Sequence, residues 1–156
     1  RARQRMGCTL DVVLLRGNGA LLAHVGDSRV YLLRGTALQQ LTDDHTVGEM
    51  LREAGVITAE QLARHPQRGV LTRAMGVFPV VQADTAFVEL CAGDRLLLCS
   101  DGLYNELNDD AMARYCGAGA PAEAAAALIA ATLETEARDN VTAVVCATAR
   151  SSAPSA

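Results

Sequence analysis

Aromatic residues are scarce in this 156-residue chain, at 3%, and tryptophan is absent. With half of the residues hydrophobic all the same, any core must be built from Leu, Val and Ala. No apolar run approaches the ~18 residues that cross a bilayer, so a membrane span is not expected. No block of Lys or Arg occurs and the net charge is −4, which argues against a nucleic-acid or anionic-membrane partner. The five cysteines, Cys8, Cys91, Cys99, Cys116 and Cys146, are never spaced C-x-x-C. They read as buried thiols of a reducing cytoplasm rather than as disulfides or a zinc site. No signal-peptide pattern is seen, and the expected location is cytoplasmic. Neither G-x-G-x-x-G nor a P-loop is present, so a nucleotide fold has no support.

What is there fits one ordinary domain over 1–150, followed by a disordered polar tail over 151–156. Gly7 to Leu41 reads as an antiparallel meander. The runs Thr9 to Leu15 and Ala20 to Val25 are split by Gly17-Asn18-Gly19, a hairpin signal. Val30 to Leu33 and Ala37 to Leu41 are joined through Arg34-Gly35-Thr36. Thr46 to Ala54 has helical spacing and stops at Gly55, and Thr58 with Gln61 forms a capping-box pattern. The stretch 46–79 is expected as a helical flap inserted between strands. Val80 to Leu90 and Arg95 to Cys99 read as further strands. Helices are expected from Asn108 to Tyr115 and from Pro121 to Glu136, the second with Pro at its first position. Val141 to Thr148 reads as a final strand. Segregated strands and helices predict an α+β layered fold.

The stretch Arg95 to Leu107, RLLLCSDGLYNEL, sets the functional question. A strand buried on both faces delivers Asp101 into a turn that Gly102 is expected to let bend sharply. A carboxylate there is costly unless a cation meets it. Asp27 (after Val25-Gly26) and Asp139 (before Asn140-Val141) share that setting at the ends of apolar runs. Three convergent carboxylates raise one another's pKa unless they share a cation. Oxygen ligands without Cys or His suit Mg²⁺ or Mn²⁺. Taken singly, each Asp equally fits a turn that accepts backbone N–H bonds. Spacing does not bring the three together.

The segments HVGDSRVYLLRG (24–35), QLTDDHT (40–46), GVITAEQL (55–62), HPQRGVLTRAMG (65–76), GDRLLLCSDGLYNEL (93–107) and RDNVTAVV (138–145) follow one another in a recognisable order. Together they resemble the metal-dependent protein phosphatases, the PPM or type 2C Ser/Thr phosphatases, in their bacterial form. The resemblance implies two packed antiparallel β-sheets flanked by helices, a four-layer α-β-β-α sandwich. It implies hydrolysis of phosphoserine and phosphothreonine on proteins, the products of a Ser/Thr kinase, at a dinuclear Mn²⁺ or Mg²⁺ centre whose bridging water is the nucleophile. By the same resemblance Asp101 and Asp139 are metal ligands, and Asp27 belongs to a third, looser cation. Asn140, Arg29 and Ser100 would support them. Arg29 is expected to pair with a carboxylate, and Arg73 to brace the flap. His24, His45 and His65 are expected to serve in packing rather than proton transfer.

The departure is that the family's R-x-x-N-E-D and D-G-x-G-G segments, which carry a phosphate-binding Arg and the metal-bridging Asp, have no counterpart. The sequence therefore reads as the C-terminal two-thirds of such a domain, with exposed sheet edges. The alternative is a non-catalytic phosphatase-like module that binds phosphoprotein or regulates a partner. The enzyme reading is favoured, with this chain alone expected to lack activity.

Overall fold

The structure, a computed structural model, describes residues 6–77, 79–136 and 139–148. The expected tail at 151–156 lies outside the described residues. Among the described residues seven strands form two antiparallel sheets. β1 (Leu10–Arg16), β2 (Gly19–Val25) and β5 (Asp84–Glu89) make one sheet in the order β1-β2-β5. β3 (Arg29–Arg34), β4 (Ala37–Gln40), β6 (Arg95–Cys99) and β7 (Ala143–Ala147) make the other in the order β4-β3-β6-β7. Between β4 and β5 lie α1 (Val47–Glu53) and α2 (Ala59–Ala63), inside the expected flap. α3 (Asp101–Tyr104), α4 (Asp109–Gly117) and α5 (Pro121–Leu133) stand between β6 and β7.

Local chemistry accounts for most boundaries. Arg16 pairs with Gly19 across a two-residue turn in which Gly17 has φ +58°, the left-handed conformation such hairpins need. The capping box of α2 is in place: Thr58 N–H donates to Gln61 Oε1 at 2.8 Å, and Gln61 N–H donates to Thr58 Oγ1 at 3.3 Å. Thr46 caps α1 by accepting from Glu49 N–H. Two strands are shorter than the sequence suggests. β5 starts at Asp84 rather than Val80, because its partner β2 turns away just after His24. β7 starts at Ala143, opposite Cys99, the last strand residue before the chain enters α3.

Two apolar layers follow from strand alternation. Ala20, Leu22, Val30, Leu32 and Leu96 pack between the sheets. Tyr31, Leu33, Leu97 and Cys99, on the opposite face of the four-stranded sheet, meet Leu103, Met112, Cys116 and Leu128 of the helical layer. Each such aliphatic side chain contributes about 1.5–3 kcal/mol by leaving water. The outer face of the three-stranded sheet has no such cover among the described residues. Val12, Leu14, Leu21 and Phe87 stand on it, at 46%, 57%, 48% and 63% exposure. Thiol burial is mixed: Cys99 and Cys116 are buried, whereas Cys8 and Cys91 are exposed, and all five are free. The expectation of uniformly buried thiols is thus corrected, since Cys8 and Cys91 both lie outside the strands.

Candidate metal centre

Asp27 and Asp101 come from two different connections of the fold, β2 to β3 and β6 to α3. β2 ends at Val25 and Gly26 turns the chain, so Asp27 stands in the link to β3. Asp101 is the first residue of α3, directly after β6. β3 and β6 pair with Arg29 opposite Cys99, which sets both aspartates at one end of the sheet. They line one cleft of about 330 Å³ together with Arg29, Asp44, Glu49, Arg68 and Tyr104. Burial, followed by the charges of Asp101 and Asp44, pushes the Asp27 carboxyl up to about 6.

Asp139 is placed differently. It is exposed, and Asn140 N–H donates to its Oδ1 at 2.7 Å. It does not line that cleft. Its stretch nevertheless docks against the start of α3. A β-carbon on Gly102 would lie 2.5 Å from the Asn140 carbonyl oxygen and 3.5 Å from the Asp139 carbonyl carbon. Gly102 is thus needed for close approach rather than for a sharp turn: it sits inside a helix and is not among the positive-φ glycines. Ser100 completes the dock. Its Oγ donates to the Asn140 carbonyl at 3.2 Å and accepts from Thr142 N–H at 3.0 Å.

Behind the cleft, Arg29 donates from Nε to Asp44 Oδ1 at 2.8 Å and from Nη2 to Asp44 Oδ2 at 2.7 Å. It also donates to Tyr31 Oη at 3.0 Å, and its guanidinium lies 3.6 Å from the centre of the Tyr104 ring. Tyr104 Oη donates to the Asp27 carbonyl at 2.8 Å. Asp44 is therefore neutralised by Arg29, while neither Asp27 nor Asp101 has a cationic partner among the ion pairs of the described residues. Arg73 donates to Asp84 Oδ1 at 2.5 Å. His65 Nδ1 accepts from Gln67 N–H at 3.2 Å inside the flap.

His24 and His45 are both buried and their rings lie 4.6 Å apart. Both nitrogens of His24 face acceptors, Asp11 Oδ1 at 2.6 Å and the Asp43 carbonyl at 3.0 Å. Burial opposes its charge, yet Asp11 carries the net pKa upward. His45 differs: burial is the leading influence and its pKa is lowered.

Asp44, Tyr104 and Arg68 are cleft residues that sequence reasoning did not single out. Asp44 and Arg68 stand inside the quoted stretches QLTDDHT and HPQRG, but nothing in their spacing marked them as facing Asp27. A second carboxylate group lies nearby. Asp43, Glu49 and Glu53 each offer an oxygen within 4.8 Å of the others, but Glu49 is already bound by Arg52. Among the described residues no helix is long and apolar enough to cross a membrane.

Comparison with known proteins converges on one family. The profile described as protein phosphatase 2C matches residues 2–145. Protein phosphatase PhpP of Streptococcus pneumoniae is 43% identical over 107 residues, covering 69% of this chain and 44% of PhpP. The crystal structure of the Mycobacterium tuberculosis serine/threonine phosphatase PstP/Ppp superposes with a TM-score of 0.84 at 40% identity, over 91% of this chain and 60% of that one. A second structure, the catalytic domain of PstP in complex with two manganese ions, has a TM-score of 0.78 at 39% identity, over 89% of this chain and 57% of that one. The chain thus spans less than two-thirds of the length of these relatives.

Proposed function

This chain belongs to the protein phosphatase 2C family, and on that premise we propose that it serves in metal-dependent hydrolysis of phosphoserine and phosphothreonine on proteins. The carrying observation is the pairing of Asp27 with Asp101 in one cleft, where burial and neighbouring negative charge push Asp27 up to about 6. Such a group is stabilised by a divalent cation, and an all-oxygen donor set suits Mn²⁺ or Mg²⁺. The relative solved with two manganese ions supports the same choice.

Asp101 and Asp139 are the proposed ligands of a dinuclear centre, and Asp27 that of a further, looser cation. When bound, such cations supply Lewis acidity that acidifies water and offsets phosphoryl charge. The chain's own residues provide the frame. Ser100 and Asn140 pin the Asp139 stretch against α3. Arg29 holds Asp44 as a neutralised pair, so that Asp44 does not compete for the cation. The segment carrying α1 and α2 forms one wall of the cleft through Glu49, Leu62 and Arg68, where a phosphorylated protein segment would lie. The substrates are proposed to be the products of a Ser/Thr kinase.

The test is Mn²⁺-dependent hydrolysis of a phosphothreonine peptide, by this chain and by the product of its full reading frame. Asp101→Asn and Asp139→Asn should each lower the rate at least tenfold to a hundredfold, the range seen when metal sites are perturbed. Unchanged rates in both would overturn the ligand assignment. Metal binding without hydrolysis in either form would favour a phosphoprotein-binding module.

A further inference from the structure

His45 sits where three separate stretches of chain meet. Its backbone N–H donates to the Gly26 carbonyl at 2.7 Å, and its ring Nδ1 accepts from Gly26 N–H at 3.1 Å. Backbone and side chain thus grip both polar groups of the residue before Asp27. On its other side the His45 carbonyl accepts from Thr72 N–H at 2.8 Å. Its Nε2 lies 3.0 Å from Asp84 Oδ2, and Asp84 also receives Arg73. Thr72 and Arg73 belong to the limb that returns from α2 towards β5.

The tautomer follows from the partners. A backbone N–H can only donate, so Nδ1 must offer its lone pair, and in a neutral imidazole the proton is then on Nε2, facing a carboxylate. The ring is 3% exposed, so both bonds are made by a buried imidazole.

We infer that His45 is a positioning residue that fixes the loop of Asp27 and ties it to the returning limb of the flap. This rests on the reading of Asp27 as a metal ligand. Its consequence is that the flap and the candidate metal site share one mechanical link, Arg73–Asp84–His45–Gly26. Asp43 and Asp44, its neighbours in sequence, then bind His24 through a carbonyl and Arg29 through a carboxylate, so the short 43–45 stretch braces the loop from three directions.

The decisive measurement on the unmodified chain is long-range ¹H–¹⁵N NMR of the histidine rings without metal. His45 should carry its proton on Nε2; a proton on Nδ1 overturns the inference. Two substitutions then separate the two bonds. His45→Asn keeps an acceptor near the position of Nδ1 and loses the reach to Asp84, whereas His45→Gln keeps the reach and loses that acceptor. Gly26 amide exchange should be roughly tenfold faster in His45→Gln than in the unmodified chain, the scale of one unmade buried hydrogen bond. His45→Asn should restore most of the protection. Equal Gly26 exchange in the two variants overturns the inference.

If neither variant folds, Asp84→Asn and Arg73→Ala, at partly exposed positions, replace them. Each should raise Gly26 exchange severalfold, and no change in either would count against the link. Mn²⁺ titration of Asp27→Asn addresses the underlying reading separately. If that variant binds Mn²⁺ as the unmodified chain does while Gly26 protection behaves as stated, the ligand assignment fails and the clamp stands.

Discussion

Gly102 lies so close to Asn140 that an added β-carbon would come within 2.5 Å of the Asn140 carbonyl oxygen. The atoms that β-carbon would meet all belong to backbone, with no flexible side chain to give way. Gly102→Ala gains up to about 1 kcal/mol of helix propensity, but overpacking costs about 1–3 kcal/mol. The expected outcome is net destabilisation of about 1 kcal/mol, measured by urea unfolding. Weaker Mn²⁺ binding, measured by calorimetry, should accompany it as the Asp139 stretch is pushed outward.

Arg29 holds Asp44 through two parallel bonds that a lysine does not reproduce. Both side chains are mostly buried, at 24% and 13% exposure. Arg29→Lys should lower stability by about 1.5–3 kcal/mol, the range for hydrogen bonds to charged groups. An unfolding midpoint equal to that of the unmodified chain would refute the pairing.

His24 gives the pH dependence. Its folded pKa is raised from 6.5, so its pairing with Asp11 stabilises the fold fully below 6.5. That contribution fades as pH rises through the folded value. The groups around it are Asp11, the Asp43 carbonyl, Asp44 and the neutral ring of His45. Asp11→Asn should therefore cost more stability at pH 6 than at pH 9, as read from urea unfolding at each pH. Equal losses would contradict a charged His24.

The uncovered sheet face predicts solution behaviour. Val12, Leu14, Leu21 and Phe87 present hydrocarbon to water, and contiguous apolar patches of this kind promote association. Sedimentation should show concentration-dependent self-association of the isolated chain. Leu14→Thr with Phe87→Thr, both compatible with a strand, should reduce it.

Much of this was legible in the sequence because it depends on local chemistry. The Gly17-Asn18 turn, the Thr58–Gln61 box and Pro121 at the head of α5 each act within a few residues. What was hidden depends on contacts across the chain. Gly102 looked like a turn residue until the Asn140 backbone appeared beside it. Val80 looked like strand because its stretch alternates, yet β2 has no residue left to pair with it. Asp44 and His45 sit in a polar stretch whose partners, Arg29, Gly26 and Asp84, come from other elements. Among the predicted site residues, the fold gathers Asp27 and Asp101 into one cleft, and sets Asp139 against α3 beside it.

Both sheets close across the segment carrying α1 and α2, since β2 pairs with β5 and β3 with β6. Neither sheet is complete until the chain has brought together strands on either side of that segment. Folding is then governed by loop closure, which makes it slow for the chain's size. Closure entropy, however, grows only with the logarithm of loop length, about 0.6 kcal/mol per doubling. The segment walling the cleft therefore tolerates insertion and exchange at little thermodynamic cost. Variation there that keeps the Thr72 and Arg73 contacts to His45 and Asp84 would change what reaches the aspartates while leaving their frame intact.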